Sequence, residues 1–280
     1  MKKNLIIMFC LSYISIFSQQ EKIVYPHFNN TRIINLQSIE SLNPGVMELK
    51  ISHRFGAVTE GANNLFGLDV ATMRIGLEQG VSKHFMFGVG RSTFGKTFDA
   101  FAKFRLLTQN EGGLKLSISA LSTLNANGTP FDKGRKNYFT SRLSYINQLI
   151  FSSRINERIS LQISPTVVHK NLVKFALDKN TTYAFGFAST FNIKKNISLN
   201  LEYIARVKQG VNTPTYTDYY NSLSMGLGIE TKGHFFEFHL TNSMPMAETG
   251  FITQTTDAWL KGNIHPGFNI IRDFKLYKKR

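Results

Sequence analysis

The sequence predicts an all-β fold, a transmembrane antiparallel β-barrel of about twelve strands. Apolar and polar residues alternate in twelve short segments, which tight turns and longer links join alternately. A run of roughly 18 apolar residues, the minimum for a spanning helix, does not occur after residue 20. A membrane forces every backbone N–H and C=O group to find an internal partner, so only helices and closed barrels span it. Because the helix is missing from this pattern, a barrel is the expected fold.

The first 18 residues have the composition of a cleaved secretory signal peptide. Lys2 and Lys3 form a positive region, residues 5–17 are apolar, and Ser18 is a small residue at the cleavage position. An uncleaved anchor is the alternative, but the apolar stretch is short for a spanning helix. Cys10 is the only cysteine and lies in this stretch, so we expect no disulfide and no cysteine-ligated metal in the mature chain.

Residues 19–45 are polar and have no clean period, which predicts an N-terminal segment at the periplasmic mouth of the barrel or inside it as a plug. The barrel is expected to occupy residues 46–280. Successive side chains of a strand point to opposite faces, so one face meets lipid and the other meets the lumen. We therefore expect an apolar outer surface and a polar lumen.

The first six strands follow from apolar residues at alternate positions. In the first five, these residues are Met47, Leu49, Ile51 and Phe55; Ala71, Met73, Ile75 and Leu77; Phe85, Phe87 and Val89; Phe98, Ala100, Ala102, Phe104 and Leu106; and Leu114, Leu116, Ile118 and Ala120. A polar loop over about 122–136 follows. The sixth strand covers about 137–151 and alternates less cleanly.

The same alternation predicts the last six strands. The apolar positions are Ile159, Leu161, Ile163 and Val167; Tyr183, Phe185, Phe187 and Phe191; Ile197, Leu199, Leu201, Tyr203 and Ala205; Leu223, Met225, Leu227 and Ile229; Phe236, Phe238 and Leu240; and Phe268, Ile270 and Phe274. The last strand covers about 266–275. Proline cannot donate to a strand ladder, so Pro165 predicts a bulge or a local break in the seventh strand.

The lengths of the links predict the orientation of the barrel. Short turns follow strands 2, 4, 6, 8 and 10, whereas all the other links except the one after strand 3 are longer. Short turns are typical of the periplasmic end, which places both termini there. A soluble β-sandwich is the alternative for a chain with many short strands. The signal peptide, the abundance of phenylalanine and the asymmetry of the turns favour the bacterial outer membrane.

Charged residues are expected in the lumen by side-chain parity. The candidates are Lys50, Arg54, Arg74, Lys103, Arg105, Lys115, Arg142, Arg206, Glu202 and Glu237, and acidic residues with the same parity are Glu48, Glu78, Asp99 and Glu230. The formal net charge is +15. Solvated charge in the turns explains this surplus as well as a basic pore does. No basic helix, zinc-finger spacing or RNA-binding motif is present, so nucleic acid is not an expected partner.

The sequence offers no catalytic site, metal site or cofactor site. His239-Leu240-Thr241 comes closest to the His-x-Ser of an outer-membrane phospholipase, but threonine replaces the serine and His239 has lumenal parity. The histidines are scattered without the spacing of metal ligands. Gly88-Val89-Gly90 and Gly226-Leu227-Gly228 lie inside strands with no helix after them, so small lumen-facing residues or bends of the wall explain them better than a nucleotide site.

Several short stretches resemble a known family. These are Thr31-Arg32-Ile33-Ile34-Asn35, residues 38–42, Gly45-Val46 and residues 51–56, together with Phe98-Asp99, residues 164–166 and residues 169–171. The chain is similar there to an uncharacterised family of outer-membrane β-barrel proteins from Bacteroidetes. The resemblance implies a barrel in the cell envelope and no catalytic residues. The chain differs from many outer-membrane barrels at its end, where residues 275–280 follow Phe274 instead of a terminal aromatic residue.

Three functions remain open from the sequence. The first is a passive or weakly selective channel for small solutes, with a preference for anions if the lumen is basic and open. Barrels of about 8 strands are filled and those of 16–18 strands enclose a channel, so a barrel of twelve is compatible with either state. The second function is a closed structural or partner-binding barrel, and the third is an envelope hydrolase. Outer-membrane lipid and the barrel-assembly machinery are the other expected partners.

Overall fold

Twelve strands close into one antiparallel barrel in the computed structural model, which describes residues 27–131, 134, 138–173, 178–207 and 219–276. Each strand pairs with its neighbours in sequence, and β1 pairs with β12 to close the barrel. The strands are β1 (Val46–Phe55), β2 (Ala71–Gly80), β3 (Phe85–Ser92), β4 (Phe98–Leu107), β5 (Ser117–Ala126), β6 (Leu143–Arg154), β7 (Ile159–Lys170), β8 (Thr181–Lys194), β9 (Ile197–Arg206), β10 (Ser222–Glu230), β11 (Phe235–Thr241) and β12 (His265–Lys275). The predicted fold class is confirmed, whereas the predicted signal peptide over 1–18 lies outside the described residues.

Alternation along each strand separates an outer face from a lumenal face. In β9, Leu199, Leu201 and Tyr203 are exposed on the outer surface, whereas Asn200 and Glu202 are buried inside. Large apolar side chains are exposed on the outer face of β2 to β8, β10 and β11 in the same way, whereas those of β1 and β12 are only partly exposed. Such a surface is what contact with hydrocarbon requires. Among the described residues, helices long and apolar enough to cross a membrane are absent.

The two ends of the barrel differ in the length of their links. The short turns 81–84, 155–158, 195–196 and 231–234 and the turn 108–116 lie at one end, together with both termini of the barrel. The links 56–70, 93–97, 127–142, 171–180, 207–221 and 242–264 lie at the opposite end. We name the first end periplasmic and the second end outer, because short turns lie on the periplasmic side of bacterial barrels as a general rule.

Two strands begin later than their sequence pattern predicts. Strand β5 starts at Ser117 because the residues before it belong to the turn 108–116. Strand β6 starts at Leu143 because Phe139–Arg142 form a 3-10 helix. Alternation near the end of a strand does not distinguish paired from unpaired backbone, so both predicted starts were too early.

Pro165 interrupts one ladder without changing its register. Strands β6 and β7 pair at Gln148 with Thr166 and again at Phe151 with Ile163, but the pairs in between are missing. On its other side, Pro165 stays within the ladder of β7 and β8. Because proline has no N–H group to donate, the ladder opens toward β6. The structure therefore shows the predicted local break and no bulge.

Two parts of the chain outside the strands occupy the lumen. The N-terminal segment, defined here as residues 27–45, buries most of its side chains inside the barrel. At the outer end, the link 242–264 folds inward and carries the helix α1 (Glu248–Thr253), all six residues of which are buried. We call this link the inward loop. Its burial was not predicted, because the sequence shows only a long loop there.

One part of the lumenal wall is apolar, which corrects the expectation of a polar lumen. The wall residues are Met86, Phe101, Leu121, Ile146, Ile150, Val168, Ala184, Ala188 and Ile204. They form one cluster with residues of the N-terminal segment and the inward loop, namely Phe28, Ile33, Leu36, Ile39, Leu42, Phe251 and Ile252. These wall residues are buried because the two inner parts cover them, so a polar wall is not needed there.

Lumenal glycines allow large side chains to cross a neighbouring strand. Gly90 of β3 lies between β2 and β4, and the ion pair of Arg74 with Asp99 passes over it. A Cβ atom at Gly90 would lie 2.4 Å from Arg74 Nη2. The ring of Phe101 covers Gly88 similarly, with Cε1 2.5 Å from the position of a Cβ atom. Both glycines are small residues of the lumenal wall, as predicted.

Gly90→Ala is expected to lower the free energy of unfolding by about 1–3 kcal/mol, the usual cost of an extra carbon in a packed site. Asp99 holds Arg74 by two hydrogen bonds, so the guanidinium cannot turn away without breaking the pair. Gly233→Ala is the matched control, since a Cβ atom there has no neighbour within 4 Å. The control should change stability by less than about 0.5 kcal/mol. Denaturant unfolding of the reconstituted barrel measures both variants. Equal free energies of unfolding for the two variants would contradict the passage of the Arg74–Asp99 pair over Gly90.

Candidate functional site

A short hairpin in the N-terminal segment gathers backbone N–H groups at its tip. Arg32 and Gln37 form an antiparallel bridge, and the N–H of Ser38 donates to the carbonyl of Thr31 at 2.8 Å. The tip, residues 33–36, is buried in the lumen. Its N–H groups have left water and therefore need acceptors inside the barrel.

Glu202 of β9 supplies the acceptor for the hairpin tip. Its Oε1 accepts from the N–H of Ile34 at 2.7 Å and of Leu36 at 2.9 Å, and both carboxylate oxygens lie 3.0 Å from the nitrogen of Asn35. Successive N–H groups that converge on one anion form a nest. Hydrogen bonds to a charged group contribute about 1.5–3 kcal/mol each. Glu202 is therefore the main anchor of the hairpin on the barrel wall.

Two strand carboxylates hold the base of the hairpin. The hydroxyl of Thr31 lies 2.9 Å from Glu48 Oε1 and 2.6 Å from Glu78 Oε2, and it accepts from Lys50 Nζ at 2.7 Å. Lys50 Nζ also lies 2.9 Å from Glu48 Oε1 and 3.3 Å from Glu78 Oε1. All four side chains are buried. A hydroxyl that both donates and accepts thus connects the segment to an ion cluster of β1 and β2.

Arg32 connects the N-terminal segment to the inward loop. Its Nη2 donates to Glu248 Oε1 of α1 at 2.5 Å, and its Nη1 donates to the carbonyl of Asn35 at 2.8 Å. Arg54 of β1 makes a second connection, since Nη1 donates to the carbonyl of Ser243 at 2.7 Å and Nη2 to Asn35 Oδ1 at 2.9 Å. The two inner parts are therefore joined by charge-assisted hydrogen bonds as well as by the apolar cluster.

Cations of β4 hold the rest of the segment. Lys103 Nζ donates to Gln37 Oε1 at 3.1 Å and to the carbonyl of Ser38 at 3.2 Å. Arg105 lies 3.9 Å from Glu40, whose Oε1 also accepts from the N–H of His27 at 2.7 Å. Burial raises the pKa of the Glu40 carboxyl, because lost hydration outweighs the backbone hydrogen bonds and the Arg105 charge that lower it.

The structure brings most of the predicted lumenal residues together in the middle of the barrel. Buried there are Lys50, Arg54, Arg74, Lys103, Glu202 and Glu237. Glu237 accepts from Asn269 Nδ2 at 2.6 Å and from Asn200 Nδ2 at 3.0 Å. Arg105 is partly buried near the periplasmic end of β4.

Three of the predicted basic residues lie elsewhere, and the predicted acidic residue Glu230 is exposed at the periplasmic end of β10. Lys115 is exposed in the turn 108–116, since β5 has not begun at this position. Arg142 ends the 3-10 helix at the outer rim and donates to carbonyls of the link 127–142. Arg206 lies at the outer end of β9 and donates to the carbonyl of Tyr219. Parity assigns a face to a residue but not a depth, which is why these positions were misjudged.

The buried side chains of the strands carry no basic surplus. The cations are Lys50, Arg54, Arg74 and Lys103, and the anions are Glu48, Glu78, Asp99, Glu202 and Glu237. The surplus that the sequence suggested comes from residues such as Lys115, Arg142 and Arg206, which lie outside this region. A preference for anions therefore has no support from the middle of the lumen.

Two residues at the centre of the site were not predicted. Arg32 lies in a segment without a period, and Glu248 lies in a long loop, so neither could be assigned to the lumen by parity. A signal was nevertheless present, because Arg32 belongs to the short motif that carried the family resemblance. The motif coincides with the hairpin that Glu202 anchors.

The arrangement around His239 does not form a nucleophile and base. His239 Nε2 lies 3.1 Å from Arg54 Nη2, and the hydroxyl of Thr241 accepts from Ser224 at 2.8 Å. A base needs an orienting acceptor and a nearby nucleophile, and His239 faces a cation instead. Over the part of the chain that the structure describes, groups of three or more side chains able to hold a metal ion are also absent.

Comparison with solved structures shows that the fold is that of outer-membrane barrels. The chain is similar to the NanC porin, with 9% identity, a TM-score of 0.52, and coverage of 82% of this chain and 100% of that chain. It is equally similar to an outer-membrane channel from Pseudomonas putida F1, with 11% identity, a TM-score of 0.52, and coverage of 84% and 98%. At such identities the likeness concerns the fold alone. None of the curated proteins matches the sequence.

A family model matches nearly the whole barrel together with the N-terminal segment. It covers residues 28–274 and describes a membrane-bound β-barrel domain. This match agrees with the resemblance found in the sequence, although the origin in Bacteroidetes stays a prediction. The fold and the family description together indicate the bacterial outer membrane. The chain belongs to the family of membrane-bound β-barrel domains designated DUF5777.

Proposed function

We propose that this protein is an outer-membrane channel for small solutes that its N-terminal segment and inward loop hold closed. The observation that carries the proposal is the anchor of the hairpin on Glu202. This contact consists of hydrogen bonds to one carboxylate, which water can replace when the segment leaves. The segment is thus attached to the wall by exchangeable contacts at its tip.

The space inside the barrel supports a closed state. A pocket of about 250 Å³ opens at the outer end, between the strands and α1. A second pocket of about 520 Å³ lies at the periplasmic end and is lined by residues of the segment and of β1, β11 and β12. We call these pockets the outer vestibule and the periplasmic vestibule, and the hairpin and α1 lie between them. A solute that enters one vestibule therefore meets the inner parts before it reaches the other.

The buried charges favour a lumen that opens. Moving an ion out of water costs several kcal/mol, and apolar replacement of a buried ion pair is often neutral or stabilising. A barrel with a purely structural lumen gains little from the cluster of Lys50, Glu48 and Glu78. The same residues become a suitable solvated wall once the segment has left. This is the reason to propose a channel rather than a permanently filled barrel.

A closed structural or partner-binding barrel is the second candidate, and the apolar cluster favours it. Departure of the segment would expose Phe101, Ile146 and Ile150 to water, at about 1.5–3 kcal/mol for each large side chain. In this alternative, the segment is a permanent core of the domain. The two candidates differ in whether the segment ever leaves the lumen.

Deletion of residues 21–42 is expected to convert a barrel with few conductance steps into one with regular steps. The deletion removes the hairpin and its side of the apolar cluster, and α1 loses the partner of Glu248. Planar-bilayer recording of the purified proteins measures the change. Circular dichroism and heat-dependent electrophoretic mobility serve as controls that the variant is a folded barrel. A folded variant without steps would exclude the channel, and equal conductance of both proteins would exclude the segment as the block.

Glu202→Ala is expected to release the hairpin more often. Ser224 is buried and contacts the hairpin through Asn35 Nδ2 at 3.0 Å, so a Ser224→Cys variant reports release. Because the mature chain is expected to lack cysteine, a water-soluble maleimide labels this position alone. The loss of one charged anchor should speed labelling at least about tenfold, the factor for 1.4 kcal/mol.

Glu230→Ala in the same Ser224→Cys background is the matched control, because Glu230 is exposed at the periplasmic end of β10. This change should leave the labelling rate as it is. Equal acceleration by both alanine variants would show that the rate reports general destabilisation. No acceleration by Glu202→Ala would show that Glu202 does not hold the hairpin.

A further inference from the structure

The outer vestibule has a one-sided charge. Its cationic side chains are Arg142 and Lys170, and the lining residues that the structure describes include no aspartate or glutamate. Glu248 belongs to the adjacent helix, but its carboxylate pairs with Arg32 inside the barrel. Among the described residues, the charged groups that act on Lys170 are Asp178 and Arg206, which are opposite in sign. The vestibule therefore presents positive charge to a solute.

Contacts with its own link hold the Arg142 side chain in place and use only some of its N–H groups. Its Nη1 donates to the carbonyls of Asn127 at 2.8 Å and Thr129 at 2.5 Å, and its guanidinium lies 3.8 Å from the centre of the Phe131 ring. Its Nε and Nη2 groups make no hydrogen bond within the described parts of the chain. A fixed guanidinium whose remaining N–H groups have no partner among the described residues matches the planar geometry of a carboxylate.

The rest of the vestibule is lined by neutral polar groups. Ser144 and Gln254 face it, and the Asn125 amide meets the hydroxyl of Thr249 at 3.1 Å across its floor. Amide and hydroxyl groups donate and accept, which is what the hydroxyls of a polyol require. Phe94 adds an apolar face. The volume of about 250 Å³ lies below the roughly 300 Å³ at which sites for drug-sized ligands begin, so a compact solute fits best.

We propose that the outer vestibule binds a small hydroxylated carboxylate, of the size of a hexuronic acid, above the closed part of the lumen. Arg142 and Lys170 hold the carboxylate, and the amide and hydroxyl groups of the lining hold the polyol. The inference that the channel transports this class of solute rests on the proposed function. Binding at the outer vestibule can be measured without transport. Two of the basic residues that lie outside the middle of the lumen thereby gain a role at the outer end.

Isothermal titration of the full mature chain in detergent tests the assignment with three probes. D-glucuronate is expected to bind at least about tenfold more tightly than D-glucose, which has the same size and lacks the carboxylate. Inorganic phosphate, which has charge but no polyol, should bind more weakly than glucuronate. Equal affinities for glucuronate and glucose, or for glucuronate and phosphate, would overturn the proposal.

Lys170→Gln is expected to weaken glucuronate binding about tenfold and to leave glucose binding as it is. Lys83→Gln is the matched control, since Lys83 is exposed in the periplasmic turn 81–84. Lys170→Arg should retain the affinity for glucuronate, and unchanged heat-dependent mobility shows that each variant is folded. Wild-type affinity in Lys170→Gln would overturn the site. Glucuronate binding without conductance of the deletion variant would remove the channel and keep the site, and the reverse result would remove the site alone.

Discussion

The need of buried backbone groups for hydrogen-bond partners decides the inner structure of this barrel. The strands supply hydrogen-bond partners to one another around a closed ring, apart from the break beside Pro165. The hairpin of the N-terminal segment has no such ring, and its tip carries N–H groups away from water. One carboxylate, that of Glu202, meets three of these groups. Without this acceptor, the buried N–H groups of the tip would lack hydrogen-bond partners, which would destabilise the segment inside the barrel.

The two inner parts and the wall form a core with apolar and ionic portions. Apolar residues of the wall between β3 and β9 pack against the segment and α1, as in a soluble domain. The ionic portion, including Arg32 with Glu248 and Lys50 with its two carboxylates, links the same parts through charge. Twelve strands enclose a space between that of a filled barrel and that of an open pore. The chain fills this space with its own residues.

The sequence predicted the strands well because a membrane barrel enforces a period of two. Because lipid lies outside and the lumen inside, successive strand residues alternate between two environments, as in β9, where Leu201 is exposed and Glu202 is buried. The turn asymmetry and the break at Pro165 follow from equally local rules. The depth of a side chain along the barrel and the ends of the strands were harder to predict, because the alternation continues past the last paired residue. Lys115 and Arg142 were misplaced for this reason.

The alternation of apolar and polar residues could not predict which parts of the chain fill the lumen. The hairpin and α1 are irregular or short, and their burial depends on residues far away in sequence, such as Glu202 for Asn35 and Arg32 for Glu248. The apolar wall residues have lumenal parity, and the two inner parts that cover them explain why they are apolar. Side-chain parity thus identified Glu202 as lumenal, but its role required knowledge of what it faces.

Hydrogen–deuterium exchange at the amides of residues 34–36 tests the central claim most directly. If the hairpin tip is anchored on Glu202, these amides exchange at least about a hundredfold more slowly than in an unstructured peptide, and Glu202→Ala removes most of this protection. Exchange at the unstructured rate in the intact protein would contradict the account, because the tip would then be in water and not on the barrel wall.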